Sequence, residues 1–198
     1  MNALLDTLGA TVIGAMFMLT ILNSLFNVQA ISTNFQRQIN LLDQTERVTN
    51  ILDTYYLSAA GRSLSSNSSI ITRAKEDRFT FRGELDGNIR LIDIRTGAID
   101  TLRNAYPLAV YVDGTKDYGP FWVSTTNDDA YDGIRITYYD RTGNTLSYSN
   151  LQNQSIRNQI RSLKFELELV YETYREDMRA MDNKHQITFW KYLTNLYL

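Results

Sequence analysis

Few side chains in this sequence are placed to do chemistry. Glu166, Glu168 and Glu172 recur at short spacing, as paired carboxylates for general acid–base work would. They alternate, however, with Leu163, Phe165, Leu167, Leu169 and Tyr171, and that period of two puts the acids on the wet face of a strand with no cleft implied. His185 is the only histidine and the chain has no cysteine, so a usual zinc site lacks its ligands and His185 reads as a residue at the start of the last strand. Asn127, Asp128, Asp129 and Asp132 precede Gly133 and offer oxygens of the kind calcium accepts. Their spacing misses the EF-hand pattern, which favours a solvated loop. There is no phosphate-cradling glycine loop and no serine elbow. The expectation is a protein that is not an enzyme and carries no cofactor or metal.

One acid stands apart. Asp6 is followed by thirty residues, Thr7 to Gln36, without a charge. An unpaired carboxylate in apolar surroundings is costly, so Asp6 asks for a partner cation. Ala10 and Gly14 lie further along the same run as a small-xxx-small pair, the spacing that lets two helices approach closely. Asp6, Ala10 and Gly14 are therefore candidates for assembly, not for reaction.

The element that carries them is the stretch from the start of the chain to Gly61, which contains no proline. The 21 residues from Leu8 to Val28 are predominantly apolar. As a helix they rise about 31 Å, the thickness of a bilayer's hydrocarbon core. A cleaved secretory signal would start with a basic region, and no Lys or Arg precedes Arg37. Asn23, Ser24 and Asn27 interrupt the apolar run, but unwinding there would strand backbone donors in an apolar medium, so the helix should stay continuous. Beyond it, Ile31, Phe35, Ile39, Leu42, Leu52, Tyr55, Tyr56 and Ala59 return at helical steps among polar residues, which predicts an amphipathic continuation ending at Gly61.

From residue 78 the period changes to two. RFTFRG and NIRLIDIR read as strands joined around Asp86-Gly87, with either Ile89 and Leu91 or Ile92 and Ile94 facing the core. Residues 95–132 read as loops with one or two short strands. GIRITYYDRTGNTLSYS reads as a hairpin turning at Asp140 to Asn144, and a long alternating strand lies within residues 156–172. A charged loop, Arg175 to Lys184, leads to a closing strand in HQITFWKYLT. The plan is α+β: a long N-terminal helix, apolar in its first half and amphipathic in its second, packed on an antiparallel sheet. Its parts are residues 1–30, a transmembrane or assembly helix; residues 31–62, the amphipathic continuation; and residues 63–198, a β-rich globular domain. A net charge of −2 with scattered Lys and Arg argues against nucleic acid as a partner. The short N-terminal side is expected in the cytoplasm, the rest outside it.

The apolar N-terminal segment with its single early acid, the stretch LLDQTERVTNILDTYYLSAAG and the IRSLKFELEL strand with its closing strand together resemble the type IV pilin superfamily. The larger minor pseudopilins of type II secretion systems, and related minor pilins, are the most similar in pattern. The resemblance implies a structural subunit of a pilus-like or pseudopilus filament, assembled through the N-terminal helix with other pilin-like subunits as partners. It also implies a membrane during biogenesis, an inner-membrane location with an extracytoplasmic domain, and an extracellular or periplasmic filament once assembled. In the family an acid near the mature N-terminus pairs with a neighbouring subunit's terminal amine, a role that falls here to Asp6. The sequence departs from the family in having Asp where Glu is usual and in lacking the helix-kinking proline. The other reading is a single-pass membrane-anchored extracytoplasmic domain that binds a ligand or an envelope partner.

Overall fold

A computed structural model of the chain describes residues 2–64, 69–124, 133–170 and 184–197. The fold is α+β, a long N-terminal helix and an antiparallel, curled β-sheet. The chain divides into two units, Met1–Asn40 and Leu41–Leu198. The described residues of the first all belong to helix α1 (Asn2–Asn50), which is unbroken between Leu19 and Ile31.

In the second unit α1 passes into a π-helical turn, Ile51–Tyr56, and a 3-10 turn, Leu57–Ala59. The π turn shifts the hydrogen bonds from i−4 to i−5, as in Leu57 N–H to the Leu52 carbonyl, and so resets which residues face inward. The face that meets the sheet is Leu41, Val48, Leu52, Tyr56 and then Leu57, Ala59 and Ala60, all buried. This corrects part of the expected stripe, because Ile31, Phe35, Ile39, Leu42 and Tyr55 are exposed while Leu52, Tyr56 and Ala59 keep their place. Gly61, at φ +76°, ends the helical run as expected, in a conformation that glycine adopts without strain.

Among the described residues the sheet has eight strands: β1 (Ile71–Ala74), β2 (Arg78–Leu85), β3 (Asn88–Thr96), β4 (Ala105–Val112), β5 (Thr115–Ser124), β6 (Ile134–Tyr139), β7 (Ser162–Val170) and β8 (Lys184–Tyr192). Strands β1 to β5 are neighbours in sequence order. β7 then takes β5 and β6 along one side and β8 along the other. The sheet curls so that β6 returns to the β1–β2 turn, where Ile136 N–H donates to the Glu76 carbonyl at 2.8 Å. Its concave face supplies Phe79, Phe81, Ile92, Ile94, Leu108, Val110, Ile136, Tyr138, Leu163, Phe165 and Leu167, each shut from water.

Asp86 and Gly87, both at positive φ, make the β2–β3 connection a two-residue turn. The register opposes Phe81 to Ile92 and Phe79 to Ile94, which settles the face: Ile92 and Ile94 are core, Ile89 and Leu91 exposed. Of residues 95–132, expected as loops with one or two short strands, two strands form, β4 and β5, longer than expected and paired from Ala105–Ser124 to Val112–Thr115 around a second two-residue turn, Asp113-Gly114. The hairpin expected from GIRITYYDRTGNTLSYS forms only its first strand. After the Asp140 to Asn144 turn the chain makes a single bridge, Tyr139–Thr145, and leaves into a 3-10 turn (Asn150–Gln152) and the short helix α2 (Gln154–Arg157). The β8 ladder pairs with β7 from Ser162–Tyr192 to Val170–Lys184, as an antiparallel closing strand should.

Two tyrosines carry the polar part of this core. Tyr138 donates to the Lys75 carbonyl at 2.8 Å, and Tyr56 to Asp117 Oδ2 at 2.6 Å. Burial raises both phenols above their ordinary value of 10.0, and for Tyr56 the hydrogen bond to Asp117 adds to it. The folded state therefore holds protons that the unfolded chain releases, so their stabilisation is fully present below pH 10 and is lost as pH rises toward the folded values. The expected slope is a loss of about 1.4 kcal/mol per pH unit for each tyrosine. Urea unfolding at steps between pH 9 and pH 11 measures it, and Tyr138→Phe should make the decline shallower. An unchanged decline in that variant would assign the alkaline sensitivity elsewhere.

Candidate functional site

Helix α1 places Asp6, Ala10 and Gly14 at four-residue steps, so the three expected assembly residues share one face. Every residue from Asp6 to Gln36 is exposed, including Phe17 at 69 % and Leu19 at 66 %. A Cβ built on Gly14 meets nothing within 4 Å, and Ala10, Ile13, Gly14, Phe17, Met18 and Ile21 line a shallow apolar groove along the helix. The helix is long and apolar enough to cross a membrane.

Four threonines of this segment bond the backbone of their own helix. Thr7 donates to the Ala3 carbonyl at 2.9 Å, Thr11 to Leu8 at 2.8 Å, Thr20 to Met16 at 2.9 Å and Thr33 to Gln29 at 2.9 Å. Hydroxyls satisfied in this way cost little in an apolar medium, so the segment can enter lipid or a helix bundle. Nothing in its composition answers the carboxylate of Asp6, since no Lys or Arg occurs before Arg37.

The other candidates are placed apart. Glu166 and Glu168 stand on the outer face of β7, each tied to a cation: Lys164 Nζ lies 2.7 Å from Glu166 Oε1, and Lys184 Nζ 3.3 Å from Glu168 Oε2. His185 stands opposite Leu169 in the β7–β8 ladder. Glu172, Tyr171, the Asn127 to Asp132 loop and the charged loop up to Asn183 lie outside the described residues.

The structure also gathers what looked scattered. Arg78 and Arg82 alternate with Phe79 and Phe81 on β2, Arg73 pairs with Thr80 across β1, and Arg95 pairs with Arg78 across β3. These arginines thus meet on the outer face of β1–β3. The period-two alternation in the RFTFR stretch was the signal for it, read only for its apolar half. Buried Asp93 holds the group, accepting from Arg78 Nε at 2.8 Å and Nη2 at 2.7 Å and from Thr80 Oγ1 at 2.8 Å, with Arg95 Nη1 at 3.5 Å. Arg95 in turn lies 4.1 Å over the Tyr111 ring.

Comparison of the chain with known families, with curated proteins and with solved structures finds no match. The long apolar helix before an antiparallel sheet is compatible with a pilin-like fold.

Proposed function

We propose that the chain is a non-catalytic structural subunit of a pilus-like or pseudopilus filament, in the type IV pilin superfamily, with α1 as its assembly element and further copies or related subunits as its partners. The observation that carries this is the continuous exposure of α1 from Asp6 to Gln36, an apolar surface that needs another apolar environment. Lipid provides that environment before assembly and neighbouring helices provide it afterwards. Ala10 and Gly14 let the neighbours approach, and Asp6 finds its cation on the terminal amine of the next subunit. The domain after the helix is then extracytoplasmic, and the type II secretion slot follows from the pattern of the resemblance.

A carboxylate left unpaired among packed helices costs about 3 kcal/mol. Pairing with an amine removes that cost and fixes the stagger between subunits. Asp6→Ala is accordingly expected to lower the yield of filaments, counted by electron microscopy of the native protein, by about tenfold, without changing the circular dichroism of the domain. Normal assembly by Asp6→Ala would remove Asp6 from the mechanism. A wild-type protein that stays monomeric in the membrane under all conditions would instead favour the reading as a solitary anchored domain, because that helix is long enough to span alone.

A further inference from the structure

A cleft of about 470 Å³ lies beside β1, lined by Thr72, Arg73, Lys75, Asp77, Tyr148 and Arg157 among others. That volume is within the range of small-molecule sites. Its charges are unequal. Arg73 and Lys75 are exposed, and among the described residues neither side chain has an ion-pair or hydrogen-bond partner. Arg157 is held entirely by neutral oxygens: Nη1 donates to the Leu151 and Gln152 carbonyls at 2.8 and 2.7 Å, Nε to Ile71 at 3.3 Å and Nη2 to Gln154 Oε1 at 2.6 Å. These bonds fix the guanidinium without neutralising it, and leave one of its N–H groups over. Of the acids at the rim, Glu76 is paired with Arg135 at 3.3 Å, so Asp77 alone opposes the cations.

An excess of unpaired cations is unfavourable by itself, and here it adjoins the outer-face arginines, where Arg78 and Arg95 already stand directly opposite each other. Concave, positively lined sites concentrate anions, and planar guanidinium forks match phosphate oxygens. Tyr148 and Thr72 bring hydroxyls into the same cleft, although both are engaged with backbone carbonyls, Tyr148 with Ile136 and Thr72 with Thr80.

We infer that this cleft binds a phosphate-bearing ligand of about sugar-phosphate size, with Arg73 and Lys75 taking the anion and Arg157 supplying a fixed positive wall. The inference is independent of filament assembly, since all of these residues lie in the second unit.

The test uses the full chain in neutral detergent micelles, titrated calorimetrically with glycerol 3-phosphate and with dihexanoyl phosphatidylglycerol. Saturable binding of at least one probe is expected, weakened more than tenfold by the double variant Arg73→Gln/Lys75→Gln. Arg82→Gln, an exposed change on the outer sheet face away from the cleft lining, should alter it less than twofold. A preference for the lipid probe identifies a headgroup as the source, and equal or better binding of glycerol 3-phosphate identifies a free phosphate. Both exchanged side chains are exposed and unbonded, and unchanged melting of the double variant confirms that it is folded. Absence of saturable binding by either probe, or wild-type affinity in the folded double variant, overturns the inference.

Discussion

Gly83→Ala is expected to lower the melting temperature of the folded domain by about 10 °C, which corresponds to about 3 kcal/mol for a unit of this size. Gly83 sits in β2 opposite Arg90, at the point where the end of the helical run is laid against the strand. Ala60 and Gly83 form an isolated bridge, and Gly61 N–H donates to the Arg82 carbonyl at 3.0 Å. A Cβ on residue 83 would come within 1.9 Å of the Ala59 carbonyl oxygen and 2.5 Å of its carbon. Those atoms are backbone, so no side chain can rotate away to make room.

Relief has to come from moving the 3-10 turn, and the turn is tied on its other side too. Asn195 Nδ2 donates to the Ser58 carbonyl at 2.8 Å, and Lys191 Nζ reaches the Asp53 carbonyl at 2.8 Å and its Oδ1 at 2.9 Å. Displacing the turn therefore disturbs the burial of Leu57, Ala59 and Ala60 as well. Gly87→Ala is the internal control. Unlike Gly83 it has a positive φ, at +76°, and it has nothing within 4 Å of its Cβ, so it should cost only the backbone strain of about 1 kcal/mol. Thermal melting of the two variants side by side decides the matter: equal shifts would mean that the close approach at Gly83 does not hold the helix end.

The contrast between these glycines marks how far the sequence could be read. Gly87 announces its turn through Asp86 and the alternations on either side. Gly83 announces nothing, because its reason is a backbone from a distant part of the chain. The same division runs through the fold. The long helix, the β2–β3 hairpin and the β7–β8 pair follow from periodicity, which is local. β4 and β5 were legible only as one or two short strands, although Asp113-Gly114 carries the same turn signal as Asp86-Gly87, since Pro107, Gly119 and Pro120 break the alternation that would have shown their full length. The second arm of the Asp140 turn fails because the chain after Thr145 is taken up by α2 and the 3-10 turn against β1, where Gln154 and Arg157 bond the Ile71 carbonyl. The π turn accounts for Tyr55 alone, since Ile31, Phe35, Ile39 and Leu42 lie before it on regular α-helix. Asp6, Ala10 and Gly14 were legible as a group because one helix carries all three. The cleft beside β1 was not, because Arg73, Lys75, Tyr148 and Arg157 come together only when the sheet curls.

Deleting residues 1–30 is expected to leave a protein that is monomeric in aqueous buffer and melts within a few degrees of the full chain in detergent. Among the described residues, the buried hydrophobic ones all lie from Leu41 onward, so the deletion removes none of that core. It does remove the apolar surface from Leu8 to Val28, where Ile13, Met16, Phe17, Met18, Leu19 and Phe26 are each about two-thirds exposed. What remains of the exposed helix carries Ile31, Phe35, Ile39 and Leu42 among Gln36, Arg37, Gln38, Asn40 and Asp43. Single apolar residues set among polar and charged ones do not form the continuous patch that drives association, so the fragment should stay soluble. Sedimentation velocity and circular dichroism of the fragment give the result directly. An aggregated or unfolded fragment would show that the first thirty residues contribute to the fold itself, and the division of α1 into an assembly part and a packing part would then be wrong. A soluble fragment that still assembled would be as damaging, because it would move the contacts between subunits from the helix to the β-domain.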